Sequence, residues 1–171
     1  MNRPAANGPT ISFDEFGPLE IRPQPGRSWG TRPTRQRATY TRKHGVRHWL
    51  AFYDVHANRL WGYVRPRKRA RDILDVLQRM RKGYPAKQRI HLILDNLSAH
   101  GTPAVRRWCR VHNIHLIWTP TNASWLNPIE CQFTHVKEFV IRNSDHRDHA
   151  QLATALRRYA NYRNPKKTVG R

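Results

Sequence analysis

The order of patterned stretches along this chain leaves few folds open. Residues 11–16 alternate apolar and polar side chains, with Ile11 and Phe13 on one face and Ser12 and Asp14 on the other. That is the pattern of a strand with one face buried. Residues 46–54 and 59–64 are β-type runs on either side of His56-Ala57-Asn58, a hairpin signal. Helix-spaced apolar residues Ile73, Leu74, Leu77 and Met80 come next and end near Gly83. The compact apolar run 90–94 reads as a buried strand. Thr102-Pro103 then starts a helix, a capping hydroxyl followed by proline in the first turn, which carries Val105, Trp108, Cys109 and Val111 to about Asn113. Residues 115–119 form a further strand. A helix is expected from Pro128 to about Arg142, and a last amphipathic one with Leu152, Ala155, Leu156 and Tyr159 stops at Pro165. Hairpin-linked strands followed by helix–strand alternation predict an α/β domain, a mixed five-stranded sheet flanked by helices. The expected boundaries are a lead-in over 1–9, one domain over 10–165 with an irregular basic loop at 17–45, and a basic tail over 166–171.

Charge narrows the partner. The 171 residues hold 32 Lys and Arg against 11 Asp and Glu, a formal charge of +21. Clustered cations gain affinity for nucleic acid by releasing phosphate counterions. Between Ile21 and Tyr53 there are eight basic residues and no acid: Arg22, Arg27, Arg32, Arg35, Arg37, Arg42, Lys43 and Arg47. Five of the seven residues from Arg65 to Arg71 are basic, Arg67, Lys68 and Arg69 among them. Both segments are expected to face DNA phosphates. No stretch nears the ~20 apolar residues of a membrane span, no basic helix is of the interfacial kind, and the first residues lack a secretory apolar core. The expectation is a soluble cytoplasmic protein, associated with the nucleoid and with no membrane partner. Cys109 and Cys131 give no disulfide framework and are expected as buried free thiols.

Three of the few acids stand at element ends: Asp14 in the first strand, Asp95 closing Ile-Leu-Asp-Asn, and Glu130 in Asn-Pro-Ile-Glu. Each has a plain structural explanation. A strand Asp pairs with arginine, Asp95-Asn96 is turn chemistry, and Glu130 fits a capping box with Asn127 as N-cap. Together they read differently. Two strands and a helix start can bring three carboxylates to one point at the edge of a sheet. Hard cations such as Mg²⁺ take oxygen ligands of this kind, and a pair of them can drive in-line phosphodiester displacement. Glu15 is a poorer candidate, since it must point to the strand face opposite Asp14. A zinc reading of Cys109, His112 and His115 lacks the second ligand pair of a tetrahedral set.

The stretches Leu-Asp-Asn-Leu-Ser-Ala-His (94–100) and Trp-Leu-Asn-Pro-Ile-Glu (125–130), with Phe-Asp-Glu near the start, resemble the DDE transposases of bacterial insertion sequences, in the branch allied to mariner elements. Residues 96–129, 34 in all, separate Asp95 from Glu130, a spacing typical of that superfamily. The resemblance runs from about Ser12 to Arg142. It implies a ribonuclease H-like fold, with Asp14, Asp95 and Glu130 as the catalytic and metal-binding triad for two Mg²⁺ or Mn²⁺ ions. It also matches Asn96 and His100 after the second Asp, Asn127 before the Glu, and Lys137 seven residues after it. Lys137 returns to nearly the face of Glu130 on a helix, where it can meet a DNA phosphate.

The function implied is metal-dependent DNA strand cleavage and strand transfer. DNA, as transposon ends and target, would be the partner, and the protein would act as a homodimer. Such transposases usually carry an N-terminal helix-turn-helix region. Here Asp14 lies almost at the start, so the expectation is a catalytic half that relies on a separate helix-turn-helix protein. Two other readings stay open on sequence: a catalytically inactive remnant that only binds nucleic acid, and a related nuclease such as a ribonuclease H or junction resolvase.

Overall fold

The computed structural model describes residues 8–24, 44–121 and 123–164. Five strands form one sheet: β1 (Thr10–Glu20), β2 (Val46–Asp54), β3 (Arg59–Arg65), β4 (Ile90–Leu94) and β5 (Ile114–Trp118). Their spatial order is β3-β2-β1-β4-β5. The first three run antiparallel, as hairpin-type neighbours do, while β4 and β5 add parallel to β1. Parallel neighbours need crossovers. Here the crossovers carry α1 (Ala70–Arg81) and α2 (Pro103–Val111).

Alternation along the strands divides the core in two. Ile11, Phe13, Leu50 and Phe52 face Ile73, Leu77, Val105 and Cys109 of α1 and α2. On the other face, Trp49, Ala51 and Leu60 meet Ile129, Phe133 and Val136 of α3 (Glu130–Val136), and Leu152 and Leu156 of α4 (His149–Arg163). Gly62 is needed on this second face, because a Cβ there would stand 2.6 Å from the Trp49 indole nitrogen. Asn58 takes φ +49° in the turn between β2 and β3, a left-handed position that asparagine tolerates. Asn164, just after α4, closes the outer edge of β3 by bonding both the N–H and the carbonyl of Leu60 at 2.7 Å. That pairing occupies an edge otherwise open to another chain.

Several boundaries differ from expectation. β1 runs on to Glu20 instead of stopping at Phe16; its register against β2 shifts between Phe16 and Leu19, so residues 17–20 belong to the sheet and not to the basic loop. The predicted helix over 128–142 is two pieces: α3 starts at Glu130, and a π-helical turn, Lys137–Ile141, finishes it. Cys131, expected buried, is exposed on α3, whereas Cys109 is buried as expected. The helical period alone does not separate these two outcomes, because Cys131 opens a helix whose inner face is set by Phe133 and Val136.

Candidate active site

β1 is the middle strand, and its parallel pairing with β4 sets the site. Ser12 lies opposite Ile93 in that register. Two residues further along both strands, Asp14 comes level with Asp95, just past the end of β4. Asp14 is only 6% exposed. One carboxylate oxygen accepts the Glu15 backbone N–H at 2.7 Å, and the other accepts the Asn127 side-chain amide at 3.2 Å.

Asn127 is the fastener. Its amide also donates to the Phe13 carbonyl at 3.1 Å, and its own oxygen accepts the Ser12 hydroxyl. Ser12 in turn accepts the Ile129 N–H at 3.0 Å. These buried bonds hold the Asn-Pro-Ile-Glu segment against β1. The capping-box explanation of that segment therefore fails: the N-cap of α3 is Ile129, and no side chain caps it. Glu130 is instead the first residue of α3. Its carboxylate makes no hydrogen bond or ion pair to another described residue.

On the opposite face of the sheet, His100 is fully buried and joins two acids. Its Nδ1 lies 2.8 Å from Asp95 and its Nε2 lies 2.6 Å from Glu15. Lys68 reaches the other Glu15 oxygen at 3.5 Å. Burial by itself would lower the His100 pKa, but bonding to Asp95 and Glu15 lifts it to about 9, so the ring is an imidazolium at neutral pH. The same bond, helped by the Leu97 N–H, holds Asp95 below the usual carboxylate range despite its partial burial. Glu15 does point away from Asp14, as the strand period requires. Sequence reasoning missed that it is tied back to the site through His100. Its signal was the matching His after the second Asp, which a buried acid elsewhere had to neutralise.

Burial, and then the charges of Glu15, Asp95 and Glu130, push Asp14 up to about 7 against the opposing pull of the Glu15 N–H. Asp14 therefore feels the charges of both other acids singled out in the sequence. Among the described residues, no three acid, imidazole or thiol groups already close on a single point as an ion cage would. The donor set is still suited to a hard divalent cation. It is all carboxylate oxygen, it is half buried, and its Asp14 charge is held back by burial and then by its neighbours, in a way that a cation would relieve.

An open cleft of about 620 Å³ adjoins Glu130, with Glu15, Lys137 and Arg22 also in its walls. The Gln24 N–H, 2.8 Å from the Ser144 carbonyl, ties the segment after β1 to the far wall. Lys137 thus shares the space of Glu130, on the first residue of the π-helical turn. Turns of this type are frequent at functional sites.

The sequence profile described as DDE superfamily endonuclease matches residues 9–153. The chain belongs to this family. No curated protein matches the DDE-family chain. In fold it is similar to the Mos1 mariner paired end complex with Mn, at TM-score 0.67 and 15% identity over 89% of this chain and 48% of that one. The Mos1 strand transfer complex follows at TM-score 0.65 and 14% identity, over 90% of this chain and 46% of that one. A third likeness is to the Mos1 transposase paired-end complex with left transposon end, at TM-score 0.53 and 15% identity, over 93% and 54%. The fold is the ribonuclease H-like one expected from the resemblance. The DDE-family chain spans about half the length of the Mos1 chains it matches.

The remaining candidates of this DDE-family chain scatter. Asn96 turns away from the acids and donates to the Thr119 carbonyl at 2.7 Å, fixing the loop after β4. Arg67, Lys68 and Arg69 are exposed where β3 joins α1, with Lys68 shared by Glu15. Arg22 lies 3.4 Å from Glu20. Arg27, Arg32, Arg35, Arg37, Arg42 and Lys43 lie outside the described residues, as does the tail from 165. Basic residues also serve the fold: Arg81, 8% exposed, donates to the carbonyls of His112, Tyr84, Pro85, Ala86 and Gln88. Cys109 is buried and His112 stacks on Trp108 at 4.1 Å, so both are engaged in packing rather than joined in the zinc pattern. No helix of the described residues is long and apolar enough to cross a membrane.

Proposed function

We propose that the chain is the catalytic domain of a transposase of the bacterial insertion-sequence kind, cleaving DNA strands and joining the freed 3′ end to target DNA. The observation that carries this reading is the placement of Asp14, clasped by Asn127 on the segment leading to Glu130 and level with Asp95, within a domain of the DDE endonuclease family. In it, Asp14, Asp95 and Glu130 would hold two Mg²⁺ or Mn²⁺ ions, whose chemistry would be to activate a water and to stabilise a departing 3′ oxygen.

The chain's own residues do the rest. Asn127 fixes the Asp14 carboxylate through its amide and so sets the distance between β1 and Glu130. His100 holds Asp95 in one orientation and neutralises the acid behind it. Lys137, in the wall of the cleft with Glu130, takes a phosphate of the bound strand. Arg22, Arg67 and Arg69, with the basic residues 27–43, grip flanking phosphates and position the DNA without reading bases. A homodimer on DNA, and a helix-turn-helix partner for the element ends, complete the reading.

The test is nicking of supercoiled plasmid in Mg²⁺ or Mn²⁺. Asp95→Asn is expected to abolish divalent-dependent nicking while binding duplex DNA as the parent does. Nicking by D95N at the parental rate refutes the catalytic assignment. Steeply salt-dependent binding with no nicking by the parent protein would leave a passive DNA-binding domain.

A further inference from the structure

A second groove, of about 570 Å³, lies between the π-helical turn and α4. Three aromatic side chains dominate it. Phe139 is 73% exposed and Tyr162 is 90% exposed. Phe139 stacks on Tyr159 with ring centroids 5.8 Å apart and planes 17° from parallel. Single apolar side chains on a surface need no explanation, but a cluster rimmed by polar groups marks a binding surface. Tyr159 and Tyr162 are three apart on α4 and so share a face. Tyr159 packs at the margin of the core beside Leu152 and Leu156, whereas Phe139 and Tyr162 stand exposed and are not required for it.

Charge and continuity say what the groove takes. Arg142 and Arg158 line it, and no carboxylate does. Glu138 pairs with Arg142 at 2.6 Å, an exposed i,i+4 contact of the kind that yields readily to a phosphate. Ser144 and His146 line both this groove and the cleft beside Glu130 and Lys137. The two spaces are therefore neighbours that share these two wall residues. A duplex keeps its bases inside the helix, out of reach of flat aromatic rings. A single strand offers both bases for stacking and phosphates for arginine.

We infer that this groove is a single-stranded DNA track, on which a strand leaving the acid cleft stacks its bases on Phe139, Tyr159 and Tyr162 and sets its phosphates against Arg142 and Arg158. The inference rests on the reading that the protein acts on DNA, but not on its being an active nuclease.

The experiment measures binding of the full chain, in EDTA, to fluorescein-labelled oligothymidine and to a blunt duplex by fluorescence anisotropy. Tyr162→Ala and Phe139→Ala are each expected to weaken oligothymidine binding about 5- to 10-fold, the lower end for one lost base stack. Duplex affinity stays within about twofold in both. Tyr162→Phe keeps the ring and is expected to bind oligothymidine as the parent does. Both residues are exposed, so the alanine variants should fold, and parental melting temperatures check that. Parental oligothymidine affinity in both alanine variants overturns the track. Equal weakening on duplex and single strand overturns it too. So does a change in sedimentation with DNA binding untouched, which would make the groove a contact between copies of this chain. Binding in EDTA needs no divalent ion and is read apart from the nicking assay, so failure of one proposal is told apart from failure of the other.

Discussion

Asn127 donates its side-chain amide to the Asp14 carboxylate at 3.2 Å and to the Phe13 carbonyl at 3.1 Å, while accepting the Ser12 hydroxyl. Three β1 residues and the segment leading to Glu130 thus meet at one 1%-exposed side chain. Asn127→Ala removes all three bonds and leaves buried partners unpaired. At about 1–3 kcal/mol for each of these groups, it should destabilise the fold by roughly 3 kcal/mol or more. Urea unfolding checks this, and Ser12→Ala should lose less.

Asp14 carries a stability signature with an unusual sign. Its folded pKa of about 7 stands above the ordinary 3.8, so the folded state binds the extra proton between those values. Unfolding free energy should therefore fall as pH rises through that window, at up to about 1.4 kcal/mol per unit. Asp14→Asn should flatten the slope in melts run in EDTA from pH 4 to pH 8. Adding Mn²⁺ at pH 8 should stabilise the parent and not the variant.

His100 titrates in a higher window. Its folded pKa of about 9 lies above the ordinary 6.5, so the stability it contributes is complete below pH 6.5 and is lost as pH rises through 9. His100→Ala leaves Glu15 buried beside Lys68 alone and should cost about 3 kcal/mol at pH 6. The gap between parent and variant should narrow by pH 10, as followed by thermal melting at each pH.

The two thiols should react in sequence. Cys131 is exposed, while burial pushes Cys109 up to about 12. A thiol reagent at pH 8 should label one cysteine in the native protein and two in denaturant. Native Cys131→Ser should show none.

Much of the fold was legible because burial is written locally. The period of two in Ile-Ser-Phe-Asp placed Asp14 and Ile11 on opposite faces of β1, and the strand–helix alternation after Gly83 fixed the parallel crossovers. The bulge after Phe16 was not legible, since only pairing with Arg47 across the sheet shows that residues 17–20 stay in register. Nor was the start of α3. Asn127 followed by Pro128 looks locally like a helix cap, but its side chain forms stronger buried bonds to β1.

By itself the sequence determined a basic α/β domain, the strand face of each acid, and a family pattern spaced from Asp95 to Glu130. Only the tertiary structure decided that Glu15 reaches Asp95 through His100, that Asn127 clasps Asp14, and that Lys137 and Phe139 open on two neighbouring grooves. The reason is range. Periodicity says which way a side chain leaves its own backbone, whereas the partner it meets 85 or 113 residues away is chosen by how the sheet and helices stack.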